Sequence, residues 1–524
     1  MYDLPPALYG ALAVLAAVYL FRWRNDPVRC SDRNRASPRT HELCFLQIHK
    51  IPTLGGPSVP ILSYLSAFRY VLNSRQILKI GYEKFSDSSF KVALLDQWMV
   101  VVNGPQLLDE IRKRPDEELS FLESTEDFLQ ITWILGPEPH DDPYHIDLIK
   151  DKLTRSLPAV LPDVVDELRS AMPWYIPTHG NEWTTIDAIP TVQKVVARLS
   201  NRVFVGLPIC RNEEYLRLAV TVTRDIVRDG FLLKLFPKAF KPLVASWMSH
   251  AKRTIRRALP YLRPVITERK AKIKEHGLGE DWPGKPNDLL QWIIEQAIPR
   301  GVDDESIAAR VLLVNFAAIH TSSMSVTQAL YHLAAAPGYI QPLREEVESI
   351  TAVEGWTKAA MGKMWKLDSF LKESQRYNGI GLTSVGRKAL KDVLLSDGTL
   401  IPAGTLVVAN SYPMHHDDEY YPNAGEFDPF RFARMRELEG EGTKHQFVNT
   451  STSYVPFGVG RHACPGRFFA ANELKAMLAY IVVNYDVKID GDGARPPNVY
   501  FANSVIPNQK GKIMFRKRQV TGAA

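Results

Sequence analysis

The chain has 524 residues, enough to bury a large core, and is 45% hydrophobic and 23% charged, an ordinary composition for a globular protein. Its 64 basic and 58 acidic side chains leave a net charge of +6, too small and too evenly spread for a nucleic-acid-binding protein. Four cysteines, Cys30, Cys44, Cys210 and Cys464, show no paired spacing, which argues against a disulfide framework or a zinc cluster and points to a reducing compartment.

Residues 4–21 carry no charge, and Arg22 and Arg24 follow at once. The run is close to the ~20 apolar residues that cross a bilayer as a helix. A cleaved signal peptide would carry positive charge before the apolar run, and only Asp3 stands there. Residues 1–24 are therefore expected to be a single membrane anchor, with the basic flank leaving the rest of the chain in the cytosol. Residues 25–50 read as a linker and residues 51–524 as one large domain. The Pro- and Gly-rich stretch at 51–60 cannot be helix interior.

Helical spacing is expected over 75–85 and a β-hairpin over 90–102. Residues 120–300 read as mostly helical, with many large apolar side chains among lysines at 231–247. Residues 304–336 contain no Gly or Pro before Pro337-Gly338, predicting a helix of about 50 Å. It holds Phe316-Ala-Ala-Ile-His-Thr-Ser-Ser323. Two alanines leave room for something bulky, and His320, Thr321 and Ser322 offer polar groups where an apolar stripe would be expected. A helix over 367–377 carries Glu373 and Arg376, which at i, i+3 share a face. Strand character follows from Arg387, and then Phe427-Asp-Pro-Phe-Arg-Phe432.

The most informative stretch is 454–466, where Phe457, Gly458, Gly460, His462 and Gly466 surround Cys464. A lone cysteine is usually a small core hydrophobe. Here it sits on a glycine-rich turn that feeds a helical pattern at 467–483, where free N–H groups and the helix dipole favour a thiolate. A thiolate so placed is a ligand for a soft metal or for haem iron.

This loop, the Glu373–Arg376 helix, the Arg431 motif and the Thr321 helix resemble, in order, the motifs of the cytochromes P450, and the finer texture is similar to fungal membrane-bound members of terpenoid and other secondary metabolism. The resemblance implies a mainly α fold with small β-sheets. It implies haem b, iron protoporphyrin IX, with Cys464 as axial ligand, Phe457 and Gly458 on the sulfur side, and His462 and Arg387 near the propionates. Glu373, Arg376 and Arg431 would form a buried charge triad behind the loop. Thr321, with His320 in place of the usual acid, would relay protons. In the helix after Pro143 the family's usual Trp-x-x-x-Arg is absent, and His145 or Lys150 stands nearest to it.

The activity implied is a monooxygenase acting on a lipophilic small molecule at the endoplasmic reticulum membrane. No nucleotide-binding fingerprint is present, so electrons would come from a separate NADPH-cytochrome P450 reductase. Phe316, Ala317 and Leu382 are expected to line the pocket. Two other readings stay open: a haem-thiolate isomerase or dehydratase needing no reductase, which the presence of Thr321 disfavours, and a non-catalytic haem-binding protein.

Overall fold

The computed structural model describes residues 48–59, 62–236 and 238–519. The expected anchor and most of the linker lie outside these residues. Residues 48–50 are helical and Ile48 is fully buried. The ammonium of Lys91 donates to the carbonyls of Ile48 at 2.6 Å and Ile51 at 2.9 Å, so the packed body begins before residue 51.

The largest sheet places β1 (Thr53–Leu54), β2 (Ser89–Ala93), β3 (Trp98–Val102), β6 (Leu406–Ala409), β5 (Ser384–Ala389) and β4 (Leu119–Ser120) side by side. The expected hairpin is β2 against β3, antiparallel, with Ala93 opposite Trp98. All ten of its residues are buried, because helix α1 (Ser63–Lys84) covers one face and Leu107, Leu108 and Ile111 cluster with Trp98, Val100 and Val102 on the other.

The rest is mostly helical. Helices α2 (Phe121–Leu129), α3 (Thr154–Tyr175), α4 (Ala188–Phe204), α5 (Glu213–Lys234) and α6 (His250–His276) precede the long helix α7 (Asp304–Ala335). Its start is set by Asp303, whose carboxylate accepts the N–H of Ser306 at 2.8 Å, with Asp304 and Glu305 in the first turn. Its end is set by Pro337, which cannot continue a helix. Helices α4, α5 and α6 and α8 (Trp365–Tyr377) pack around α7. Helix α9 (Arg467–Asn484) follows the cysteine loop and joins the same core. Among the described residues α7 alone is long and apolar enough to cross a membrane; its buried residues make it the axis of this core instead.

Candidate active site

The cysteine loop is a closed turn. The N–H of Gly458 donates to the carbonyl of Val455 at 2.9 Å, and that of Cys464 to Phe457 at 2.7 Å. Gly458 sits at φ +68, and a Cβ there would lie 3.4 Å from the carbonyl oxygen of His462. A side chain would be strained in its backbone and crowded by the loop. Cys464 precedes the first turn of α9, as expected. Burial nevertheless pushes its thiol up, and the N–H groups of Gly466 and Arg467, with the Arg467 charge, offset this only in part. A metal ion bound at the sulfur would favour the thiolate further.

Behind the loop, Glu373 and Arg376 are completely buried and paired through two hydrogen bonds of 2.8 and 2.7 Å. Arg431 reaches the same carboxylate at 3.2 Å, and the Asp428 N–H adds a bond at 3.0 Å. Both arginines spend their remaining donors on backbone carbonyls, Arg376 on His415, Ala424 and Glu426, and Arg431 on Pro422 and Asn423. A buried charge cluster stabilises only when every member is satisfied. Here the spare donors fix the chain that leads to the loop. Three further residues, which no sequence motif marks, complete the clamp. His415 accepts the N–H of Val455 at 3.3 Å. Ser384 donates to the Val455 carbonyl at 2.9 Å. Lys372 lies 4.0 Å from the centre of the Tyr454 ring and donates to the carbonyls of Gln446 and Asn449.

Arg387 is buried on β5. Its hydrogen bond is to the neutral carbonyl of Gly386 at 2.8 Å, and burial lowers its pKa to about 10. Asp116 acts on it at a distance but bonds His462 at 2.8 Å and Arg461 at 3.3 Å. The Phe121 ring brings the two expected propionate partners together: Arg387 lies over it at 5.6 Å and His462 stacks on it at 5.3 Å. Phe457 packs edge-on against Phe447.

On α7, Ala317 and Thr321 are exposed although Asn315, Ile319 and Ser322 close by are buried. They are four apart and so share one face. An open stripe in the middle of a core helix is where a large flat group would rest. The Thr321 hydroxyl donates to the Ala317 carbonyl at 2.7 Å.

His320, expected to relay protons, is engaged by neighbouring helices. Its Nε2 donates to the Val220 carbonyl of α5 at 3.0 Å, and its Nδ1 lies 3.4 Å from the Gln193 amide of α4. Burial pushes its pKa down. It holds three helices together with both nitrogens engaged, and the exposed member of the pair is Thr321. Leu382 is also corrected: it is fully buried in a core cluster with Phe90 and Val408 and is absent from the lining of the 510 Å³ cavity between β2–β3 and β5. His145 is buried against Arg310 at 3.2 Å and stays neutral, lowered to about 4, while Lys150 is exposed; neither stands as a ready anion partner.

A thiol on a clamped loop, a buried guanidinium without a bonded carboxylate and an open stripe on α7 together fit a haem. The comparisons agree. A family profile described as cytochrome P450 matches residues 55–515. The chain is 47% identical to cytochrome P450 monooxygenase 151 of Postia placenta, over 99% of this chain and all of that protein. It is 32% identical to ent-kaurene oxidase P450-4 of Gibberella fujikuroi, over 91% of this chain and 96% of the relative. Retinoic acid-bound cyanobacterial CYP120A1 shares the fold, with a TM-score of 0.67 at 19% identity over 89% of this chain and 99% of that one.

The chain belongs to the cytochrome P450 family. It is a P450 monooxygenase, and haem is its cofactor.

Proposed function

We propose that this monooxygenase oxidises a lipophilic small molecule, a terpenoid or related secondary metabolite, using electrons passed from NADPH by a separate reductase. The observation that carries the reading is the pairing of a clamped thiol, Cys464, with the open Ala317–Thr321 stripe. Haem, when bound, supplies the oxygen activation that sends one oxygen atom into the substrate and the other into water.

The protein's own part falls to named groups. Cys464 would hold the iron as a thiolate. Arg387 and His462 hold the propionates, and Glu373, Arg376 and Arg431 keep the loop in register. The Thr321 hydroxyl, parked on the Ala317 carbonyl, can turn to pass a proton from water into the site. The terpenoid assignment draws on the relative named ent-kaurene oxidase.

Attachment to the endoplasmic reticulum is supported by the expected anchor and by apolar side chains left on the surface. Leu72 and Leu243 are each 71% exposed and Trp247 is 87% exposed, an amount that marks a contact surface when such residues cluster.

The test is the absorbance of the reduced, carbon monoxide-bound protein in membranes. A band near about 450 nm, with turnover that requires NADPH and added reductase, is the expected result. A reproducible band near about 420 nm would remove the thiolate and the reading with it. Turnover of a peroxide without reductase would favour an isomerase or dehydratase.

A further inference from the structure

A cavity of about 510 Å³ lies between the β2–β3 turn, the ends of α2 and α5, and β5, within the size range of small-molecule sites. Its inner wall includes Ser384 and Gly386 on the Arg387 strand and Val455 and Pro456 of the cysteine loop. Much of the lining is apolar, with Val71, Leu94, Phe231, Ile380 and Val408 among it. His415 also touches it but is held neutral, its pKa lowered to about 3 by burial. Among the described residues only two charged side chains reach the wall, Asp96 and Lys234.

These two form one pair. The ammonium of Lys234, the last residue of α5, stands 3.5 Å from Asp96 in the β2–β3 turn, with 18% and 20% of the side chains exposed. Lys234 also lies 5.3 Å from the centre of the Phe128 ring. At 3.5 Å the ion pair is longer than a well-formed charge-assisted hydrogen bond. Neither side chain makes a hydrogen bond elsewhere among the described residues. A donor and an acceptor are thus both available, side by side, at one end of an apolar cavity.

We infer that the Asp96–Lys234 pair is a recognition site for a neutral hydroxyl group, and that the substrate is a large apolar alcohol held by its hydroxyl at this end while its body runs toward β5 and the Cys464 loop. A hydroxyl oxygen accepts from Lys234 while its proton goes to Asp96, so both charges stay paired. A carboxylate would satisfy Lys234 but bring a second negative charge beside Asp96 in a partly dry site, where like charges repel strongly. An ether accepts but cannot donate, leaving Asp96 without its bond. Sites built to hydrogen-bond a hydroxyl discriminate sharply against analogues lacking it.

The inference rests on the monooxygenase reading, so the experiment separates the two. Wild type, Lys234→Met and Asp96→Leu are prepared as holoprotein, and the carbon monoxide band is recorded for each. Loss of that band in wild type would count against the haem-thiolate reading, not against the hydroxyl site. Binding is then measured by haem absorbance shift and, independently, by thermal stabilisation. The probes are a C16 chain and a cholestane skeleton, each bearing a hydroxyl, a methyl ether or a carboxylate.

On at least one skeleton the alcohol is expected to bind about tenfold more tightly than the other two, and either substitution should remove that preference, with the ether's affinity staying within about twofold when Asp96 is replaced. Equal binding of the three heads, tighter binding of the carboxylate, no binding of any probe, or a preference that survives both substitutions would each overturn it.

Discussion

The N–H of Val455 donates to Nε2 of His415 at 3.3 Å, while the carbonyl of the same histidine takes the guanidinium of Arg376. One residue therefore joins the buried triad to the start of the cysteine loop. The triad reaches the loop through backbone, and His415 is the relay of that rigidity. The bond requires a neutral imidazole, because Nε2 must accept. Burial enforces it, since the ring is fully enclosed and its pKa falls to about 3.

His415→Ala should leave the Val455 N–H buried without a partner, at a cost of about 1–3 kcal/mol. The expected result is a lowered haem-to-protein ratio and a growing 420 nm component in the carbon monoxide spectrum, with the fold retained. A variant that keeps full haem and the thiolate band would show that the triad alone suffices.

The same burial predicts acid sensitivity. His415, His145 and His416 are held neutral with pKa values lowered to about 3, 4 and 4. Each is depressed below its ordinary value of ~6.5. The unfolded chain therefore binds more protons between those limits, and stability is lost as pH falls from about 6.5 toward 4. Denaturant midpoints taken across that range should fall steadily. His415→Gln, which does not titrate, should flatten the slope. An unchanged slope in this variant would mean that His415 is hydrated on folding.

Arg387 is buried with one neutral acceptor and no bonded carboxylate, so a bound anion should matter to it more than to a surface arginine. Arg387→Leu is expected to speed haem loss to apomyoglobin at least tenfold, and Arg387→Lys, which keeps the charge but not the fork, should fall between. Equal haem retention in all three proteins would place the propionates elsewhere.

The sequence made the chemistry of this site legible and left its support hidden. Cys464, Gly458 and His462 lie within a few residues, so one closed turn imposes their spacing; Glu373 and Arg376 are fixed by a helical period. His415, Asp116, Lys372 and Ser384 act through partners far away in the chain, and no local pattern records such pairings. The partners of His320 were hidden for a related reason. Its place beside Thr321 is local, but the direction of its ring is decided by α4 and α5. The burial of the Cys464 thiol was not legible either, because the dipole is a local feature while burial is a property of the whole fold.

His320 therefore carries a prediction opposite to a relay. With both nitrogens committed to Gln193 and Val220, His320→Ala should lower stability by about 1–2 kcal/mol. It should leave the ratio of product formed to NADPH consumed within about twofold of wild type. Thr321→Ala should lower that ratio several-fold at unchanged stability. A loss of coupling in the histidine variant equal to that of the threonine variant would restore the relay.

Glu473 gives the opposite sign of pH dependence. It lies on α9, fully buried, with the Ser200 hydroxyl donating to its Oε1 at 2.8 Å. Burial raises its pKa to about 8, and the Ser200 and Ser322 hydroxyls offset this only in part. The folded protein thus keeps a proton that the unfolded chain releases near its ordinary value of ~4.3. Between those limits the native state binds more protons, so this group's contribution to stability declines as pH rises and levels off above about 8. Glu473→Gln keeps an acceptor for Ser200 and cannot ionise. It should be more stable than wild type at pH 8 by about 2–4 kcal/mol and little different at pH 5. Denaturant midpoints at the two pH values decide the matter. A gap that does not widen with pH would mean that Glu473 is ionised in the fold, which would require a cation or water beside it that burial here does not supply.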